Sequence, residues 1–341
     1  MRAIHGLFPV LILAASCSSA ASDSPASSAG GAGGVGNSLG GAQHSAGSSP
    51  GAGASSAGSA GSASPGGGSS GGAPTGGNSN GGAGGTVNVA GGGGSAGTTA
   101  GTWPPIPPGT SWQWQLTGSI DTSLEVKVYD IDLFDAEAAT VSALHAKGAI
   151  VICYVSVGSY EDWRPDAADF PQAVLGKDYP DWPGEKFLDI RALDKLGPIF
   201  QKRMDLCKSK GFDGLEPDNM DVFEGGNSGT GFPLTEQDGI AYAKWLAGQA
   251  HSRGLSIGQK NTSELADQLA TVMDWALTED CFDQDWCADM QPYIDHDKAV
   301  LMSEYTDTGV KFADACTWAK AHQFSAILKG RDLDAKVQFC P

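Results

Sequence analysis

Positive charge is scarce in this chain. Lysine and arginine number 21 against 39 aspartates and glutamates, for a formal net charge of −18. There is no basic patch to neutralise phosphates, which argues against nucleic acid as a partner. Histidine is scarce too. The six residues are scattered, with no HExxH or other paired spacing, and Asp295-His296-Asp297 alone does not make a metal site. Neither a GxSxG elbow nor a P-loop occurs. No metal or cofactor is therefore expected. Long apolar runs are missing as well. The N-terminal stretch Leu7 to Ala15 is too short to span a bilayer as a mature helix.

Charge and bulk are absent from one region in particular. From about Ser18 to Thr102 the chain is nearly all Gly, Ala, Ser, Thr, Asn and Pro. Such a segment cannot bury enough apolar surface to offset its ordering entropy, so disorder is expected. Only Asp23 among the acids and only Arg2 among the bases precede Trp103, so the net charge belongs to the remainder. That remainder holds all nine Trp and all seven Tyr. Its length suits one barrel domain.

The first residues read as an export signal. Met1 and Arg2 precede the short apolar core, and Ala14, Ala15, Ser16 and Cys17 resemble a bacterial lipobox. The expected organisation is a signal peptide over 1–16, a Gly/Ser/Ala-rich tether over 17–102 and a folded domain over 103–341. Lipidation at Cys17 would make the protein an exported cell-envelope lipoprotein, touching a membrane only through that anchor. Ordinary secretion with a stray cysteine is the alternative. Setting Cys17 aside leaves six cysteines, which can pair in 15 ways. Cys281 with Cys287 would close a small loop, and Cys316 with Cys340 would staple the last helix to the C-terminus. Cys153 with Cys207 remains by elimination, unless either is a buried free thiol.

What the folded part does have is eight apolar segments with polar ends: Trp112 to Gln115, Val128 to Asp132, Val151 to Ser156, Asp213 to Asn219, Ser256 to Asn261, Trp275 to Asp280, Val300 to Tyr305 and Ala326 to Arg331. Helical spacing recurs between them, over Glu137–Lys147, Leu196–Lys210, Thr235–Arg253, Ser263–Met273 and Phe312–His322, with Gly148, Gly211 and Gly254 placed as stops. Thr235 and Asp238 have the spacing of a capping box. Apolar runs alternating with helices indicate parallel strands buried on both faces. Eight of them predict an α/β fold, a (β/α)8 TIM barrel, with its active site at the carboxyl ends of the strands. The irregular inserts Gly158–Ile190 and Glu224–Pro233 follow strand ends and should overhang that site.

Acids crowd these ends. Glu216 and Asp218 share one strand face, and Pro217 between them marks the end of the strand. Glu279 ends the strand two places further round. Acids facing each other from different strand ends can flank one glycosidic bond, one protonating the leaving oxygen while the other attacks or activates water. The bland reading makes Asp218 a helix cap, Asp221 a surface acid and Glu279-Asp280 a solvated pair. Lys260 and Asn261 end the strand beside Asp218, where the lysine could hold a carboxylate ionised. Asp130, Tyr154, Glu304 and Tyr305 offer hydrogen-bonding groups. Trp112, Trp114, Trp163 and Trp182 would either stack on sugar faces or pack the core.

In the phrases TSWQWQLTG, VYDIDLFD, VICYVSVGSYEDWRPD, GEKFLDIR, KGFDGLEPDNMD, AHSRGLSIGQKN, TEDCF and SEY, in that order, the folded part resembles the endo-α-1,4-polygalactosaminidase family of glycoside hydrolases. Gln259 departs from it, standing where an apolar residue is more usual. The resemblance implies a (β/α)8 barrel that cleaves internal α-1,4 bonds of galactosamine polymers. It implies Asp218 and Glu279 as the catalytic acids, taken here as nucleophile and general acid/base of a retaining enzyme. It further implies Asp130, Tyr154, Asp189, Lys260, Asn261 and Tyr305 as substrate contacts, with Glu216 added from its position at the rim. The partner would be a cationic or partly acetylated galactosamine polysaccharide, drawn by rim acids including Asp130, Glu216, Asp221 and Glu304, and the protein a monomer. A hydrolase of a related α-galactoside and a non-catalytic glycan-binding barrel are the alternatives.

Overall fold

The structure is a computed structural model and describes residues 103–341. The signal segment, Cys17 and the tether lie outside the described residues. The strands are β1 (Trp112–Gln115), β2 (Val128–Asp132), β3 (Ile150–Ser156), β4 (Ser159–Glu161), β5 (Leu175–Asp178), β6 (Glu185–Leu188), β7 (Gly214–Asp218), β8 (Ser256–Lys260), β9 (Trp275–Glu279), β10 (Val300–Tyr305), β11 (Ser325–Lys329) and β12 (Gln338–Phe339). Eight of them, β1, β2, β3 and β7 to β11, lie side by side in that order, each parallel to the next. These are the eight segments read from the sequence. Strand β12 adds antiparallel to β11.

The sheet curls into a TIM-barrel-like cylinder. Among the described residues β1 and β11 share no backbone ladder. Side chains bridge the seam instead: Trp112 Nε1 donates to Ser325 O at 2.6 Å and Lys329 Nζ to Gln113 Oε1 at 3.2 Å.

Strand residues alternate between two apolar clusters, as the pleat requires. Val128, Ile152, Trp275, Leu277 and Leu301 fill the inside with Trp112 and Trp114. Tyr129, Val151, Cys153, Leu215, Ile257, Ala276, Val300 and Met302 face the helices. Gly258 is an inside position where an added Cβ would come 2.4 Å from the Trp275 ring, so only glycine lets that indole fill the interior.

The helices are α1 (Ala138–His145), α2 (Leu193–Lys210), α3 (Gly226–Thr230), α4 (Glu236–Ser252), α5 (Ala266–Leu269), α6 (Gln291–Asp295) and α7 (Phe312–His322). Helix α4 starts with both halves of the Thr235/Asp238 capping box. Helix α2 stops at Gly211, whose φ is 96°. The helix expected over Ser263–Met273 shrinks to a 3₁₀ turn and the single turn α5. The Lys298 ammonium donates to Ala270 O and Met273 O, carbonyls that a helix ending at Met273 leaves without an intrahelical partner. None of the described helices is long and apolar enough to cross a membrane.

The Gly158–Ile190 insert carries β4, β6 and β5 as a small antiparallel sheet. It is fastened to the barrel. Arg203 of α2, 2 % exposed, pairs in two-pronged fashion with Asp166 at 2.8 Å and donates to Ser156 O at 3.0 Å. Ser159 Oγ joins Ser156 Oγ at 2.8 Å. Three disulfides, Cys153–Cys207, Cys281–Cys287 and Cys316–Cys340, brace the domain, with Cα separations of 6.1, 4.7 and 5.4 Å.

Candidate active site

Inside parity continues to the strand ends. Counting by twos from Ile152, Leu277 and Leu301 reaches Tyr154, Glu279 and Tyr305. The same parity holds Asp130 on β2, Glu216 and Asp218 on β7 and Lys260 on β8. Three of these side chains, Glu216, Asp218 and Glu279, converge on one amine. Lys260 Nζ lies 2.6 Å from Asp218 Oδ1, 2.9 Å from Glu216 Oε1 and 3.1 Å from Glu279 Oε2. Laid end to end, the contacts to Asp218 and Glu279 cap the gap between those two oxygens at 5.7 Å. Below the ammonium, the Trp114 ring centroid is 4.7 Å away, a cation–π contact.

Each acid has further partners. Tyr154 donates to Asp218 Oδ2 at 2.8 Å. Asn261 donates to Glu279 Oε2 at 3.2 Å and accepts from the Glu279 amide at 2.9 Å. Tyr305 donates to Glu279 Oε1. Its ring carries Arg331, whose guanidinium carbon is 3.8 Å from the centroid. Arg331 is tied to Asp280 at 2.6 Å, so Asp280 is an anchored residue, not half of a solvated pair.

Electrostatics fix the charge of Lys260 and Asp218. Burial disfavours charge on Lys260, but Asp218, Glu216 and Glu279 outweigh it and hold the amine protonated well above the usual lysine range. Burial likewise opposes ionisation of Asp218. The Lys260 charge, with hydrogen bonds from Lys260, Tyr154 and the Asn219 amide, wins and keeps that carboxyl below its ordinary range. Asp218 is thus an ionised, oriented carboxylate.

Two expected contacts are corrected by depth. Asp130 and Glu216 are fully buried and do not line the cavity. They lie one pleat below Asp132 and Asp218 and form a floor. Burial, then the Glu216 charge, pushes Asp130 well up, while burial raises Glu216 to about 7 against the pull of Lys260. A protonated Asp130 supplies the donor that Glu216 Oε2 otherwise lacks. Asp189 is corrected by position. It is absent from the cavity wall and its carboxylate grips Arg191 at 2.8 and 2.9 Å, just ahead of α2. Glu304 has outside parity, and its carboxylate caps the Phe282 and Asp283 amides at 2.9 and 3.2 Å. Gln259, also outside, accepts from Tyr293 at 2.8 Å, which gives that polar departure a buried partner.

Tyr154, Asp218, Lys260, Asn261, Glu279 and Tyr305 line a cavity of about 530 Å³. The insert supplies the opposite wall. Arg164 binds Asp132 and Glu161 at 2.7 and 2.8 Å, and Ser159 Oγ donates to Glu185 at 2.5 Å. Burial raises Glu161 to about 7, with Arg164 opposing. Trp163 and Trp182 stand at the mouth, 52 % and 57 % exposed, unlike Trp112 and Trp114, which are core. Asp221 also lines the cavity and is not the surface acid of the bland reading. Residue type alone did not single out Glu161, Arg164, Tyr179 or Glu185. The only signal available was their place in an insert following a strand end.

The sequence profile of glycoside-hydrolase family GH114 matches residues 94–341. Among solved structures, Ega3 of Aspergillus fumigatus in complex with galactosamine is 36 % identical, over 71 % of this chain and 99 % of its own, with a TM-score of 0.66. The glycoside hydrolase domain of PelA from Pseudomonas aeruginosa is 15 % identical, over 67 % of this chain and 98 % of its own, with a TM-score of 0.53. At that identity the second likeness is one of fold. No curated protein matches the chain.

Proposed function

The chain belongs to glycoside-hydrolase family GH114 and is a glycoside hydrolase, and from that premise we propose that it cleaves internal α-1,4 bonds of a galactosamine polysaccharide with Asp218 as nucleophile and Glu279 as general acid/base. One observation carries the assignment: a single ammonium holds both carboxylates, with their nearer oxygens at most 5.7 Å apart. That bound admits the roughly 5–5.5 Å typical of retaining enzymes and lies short of the roughly 6.5–9.5 Å that inversion needs for an interposed water. In the first step Asp218 attacks the anomeric carbon as Glu279 protonates the departing oxygen. In the second, Glu279 takes a proton from water, which releases the sugar from Asp218 with its configuration retained. A free 2-amino group has no acetyl oxygen to attack from within the substrate, so a retaining route takes its nucleophile from the protein.

The complex of Ega3 with galactosamine supports an amino sugar as substrate. So does the wall of acids, Asp132, Glu161, Glu185, Asp218, Asp221 and Glu279, set against Lys260, Arg164 and Arg331. A cationic polymer would be drawn to it. Mass spectrometry of products from a partly acetylated galactosamine polymer tests the proposal. Oligomers with galactosamine at the new reducing ends are expected, and no release of oligomers would overturn it.

We also propose export with a lipid anchor at Cys17 and a tether over 17–102. Three disulfides suit an oxidising compartment. Cys17→Ser should move the protein from the membrane fraction to the soluble one. An unchanged distribution would leave plain secretion.

A further inference from the structure

Asp221 sits three residues beyond Asp218, at the start of the 3₁₀ turn that follows β7, and lines the cavity. Its neighbours among the acids all have donors: Asp218 and Glu279 share Lys260, Glu161 and Asp132 share Arg164, and Glu185 has Ser159. Asp221 has no side-chain donor, only its own backbone amide. Its Oδ1 is closed off from solvent with no hydrogen-bond donor in reach. A carboxyl oxygen so placed costs desolvation and gains nothing until a donor arrives. Lys260 does not serve, because it is already committed to three carboxylates.

We propose that Asp221 is the specificity-determining residue that receives the substrate's 2-ammonium group. The inference rests on the reading of the substrate as a galactosamine polymer and says how the amine is chosen. Carbon 2 is bonded to the carbon that Asp218 attacks, so a receiver for its substituent has to stand beside Asp218. Asp221 does, and its carboxyl responds to both Asp218 and Glu279. Burial, then the Asp218 charge, pushes it up to about 6, which leaves it largely ionised at neutral pH. An ammonium supplies both the missing donor and the missing charge. A hydroxyl at the same carbon supplies only the donor, and an acetamide only a bulkier neutral one.

Calorimetric titration of galactosamine, galactose and N-acetylgalactosamine into the exported protein tests this, with Asp221→Asn and Glu125→Gln beside the wild type. The wild type should favour galactosamine over galactose. Asp221→Asn should lower that affinity ratio by about tenfold or more, the worth of one charge-assisted hydrogen bond. Glu125→Gln removes an exposed acid outside the cavity and should leave the ratio standing. Should the Asn variant not fold, Asp221→Ser removes the same charge. An absent preference in the wild type overturns the inference. So does a ratio unchanged in the Asp221 variant, or lowered as much by Glu125→Gln. If the amine preference depends on Asp221 but galactosamine polymer is not cut, the polymer reading falls and this one stands.

Discussion

Lys260 Nζ and Asp218 Oδ1 meet at 2.6 Å across neighbouring strand ends, a buried charge-assisted contact that fixes the candidate nucleophile in its ionised form. Lys260→Met should abolish measurable turnover and cost about 3–5 kcal/mol, the usual penalty when one partner of a buried pair is removed. The loss should depend on pH. With Lys260 present, the depressed Asp218 group adds stability above its unfolded value, and that contribution fades only as pH falls through the lower folded value. Without it, Asp218 and Glu216 are left uncompensated and are relieved by taking up protons. The gap in Tm between wild type and variant should therefore widen from about pH 4 to about pH 8. A gap independent of pH would mean that Lys260 acts by packing alone.

Asp218→Asn and Glu279→Gln should each lower kcat by at least about 100-fold. Azide separates their roles. With Asp218→Asn it should enter opposite the leaving group and give the inverted glycosyl azide; with Glu279→Gln it should give the retained one. Proton NMR of fresh products reads the anomer. The reverse pairing would exchange the two roles.

Trp163→Ala and Trp182→Ala should weaken long polymers more than short ones, because both rings stand at the mouth, clear of Asp218 and Glu279. About 1 kcal/mol per lost stacking face, near a fivefold rise in KM, is expected on polymer. KM on a disaccharide should hardly move. Equal effects on both would place the rings at the cleavage point.

The disulfides should rank by the loop each closes. Cys153–Cys207 spans 54 residues, Cys316–Cys340 spans 24 and Cys281–Cys287 spans 6. Replacing each pair by alanine should cost about 4, 3 and 2 kcal/mol on the chain-entropy account. Urea unfolding measures the order. A costlier loss of Cys281–Cys287 would show that it works through Glu304, which caps the loop that this bridge closes.

Much of this was legible in the sequence because burial on both faces writes a continuous apolar run, and eight such runs are hard to read otherwise. Period-two alternation also marks which end residues face inward. It separates Glu279 from Glu304, although both look like acids at strand ends. Depth along the strand was harder. Asp130 and Glu216 share the correct face with Asp132 and Asp218 but lie one pleat lower, and only the height of the floor decides which acid meets solvent. Ser263–Met273 has helical spacing, yet only short turns form there, and Lys298 from a distant loop caps the carbonyls at its end, a contact no local pattern reports. The insert was recognisable as an overhang, but its small sheet carries no period strong enough to place Glu161, Arg164 or Glu185.

That insert gives one wall of the cleft a separate origin from the other. The barrel provides the candidate catalytic pair and the ammonium that holds it; the stretch between β3 and α2 provides Glu161, Trp163, Arg164, Tyr179, Trp182 and Glu185. Its attachment runs through Arg203, Ser156, Ser159 and the Arg164–Asp132 pair, and none of these side chains hydrogen-bonds to Asp218 or Glu279. Lineages could therefore recut this one excursion to suit another polymer while the scissors beneath it stay as they are.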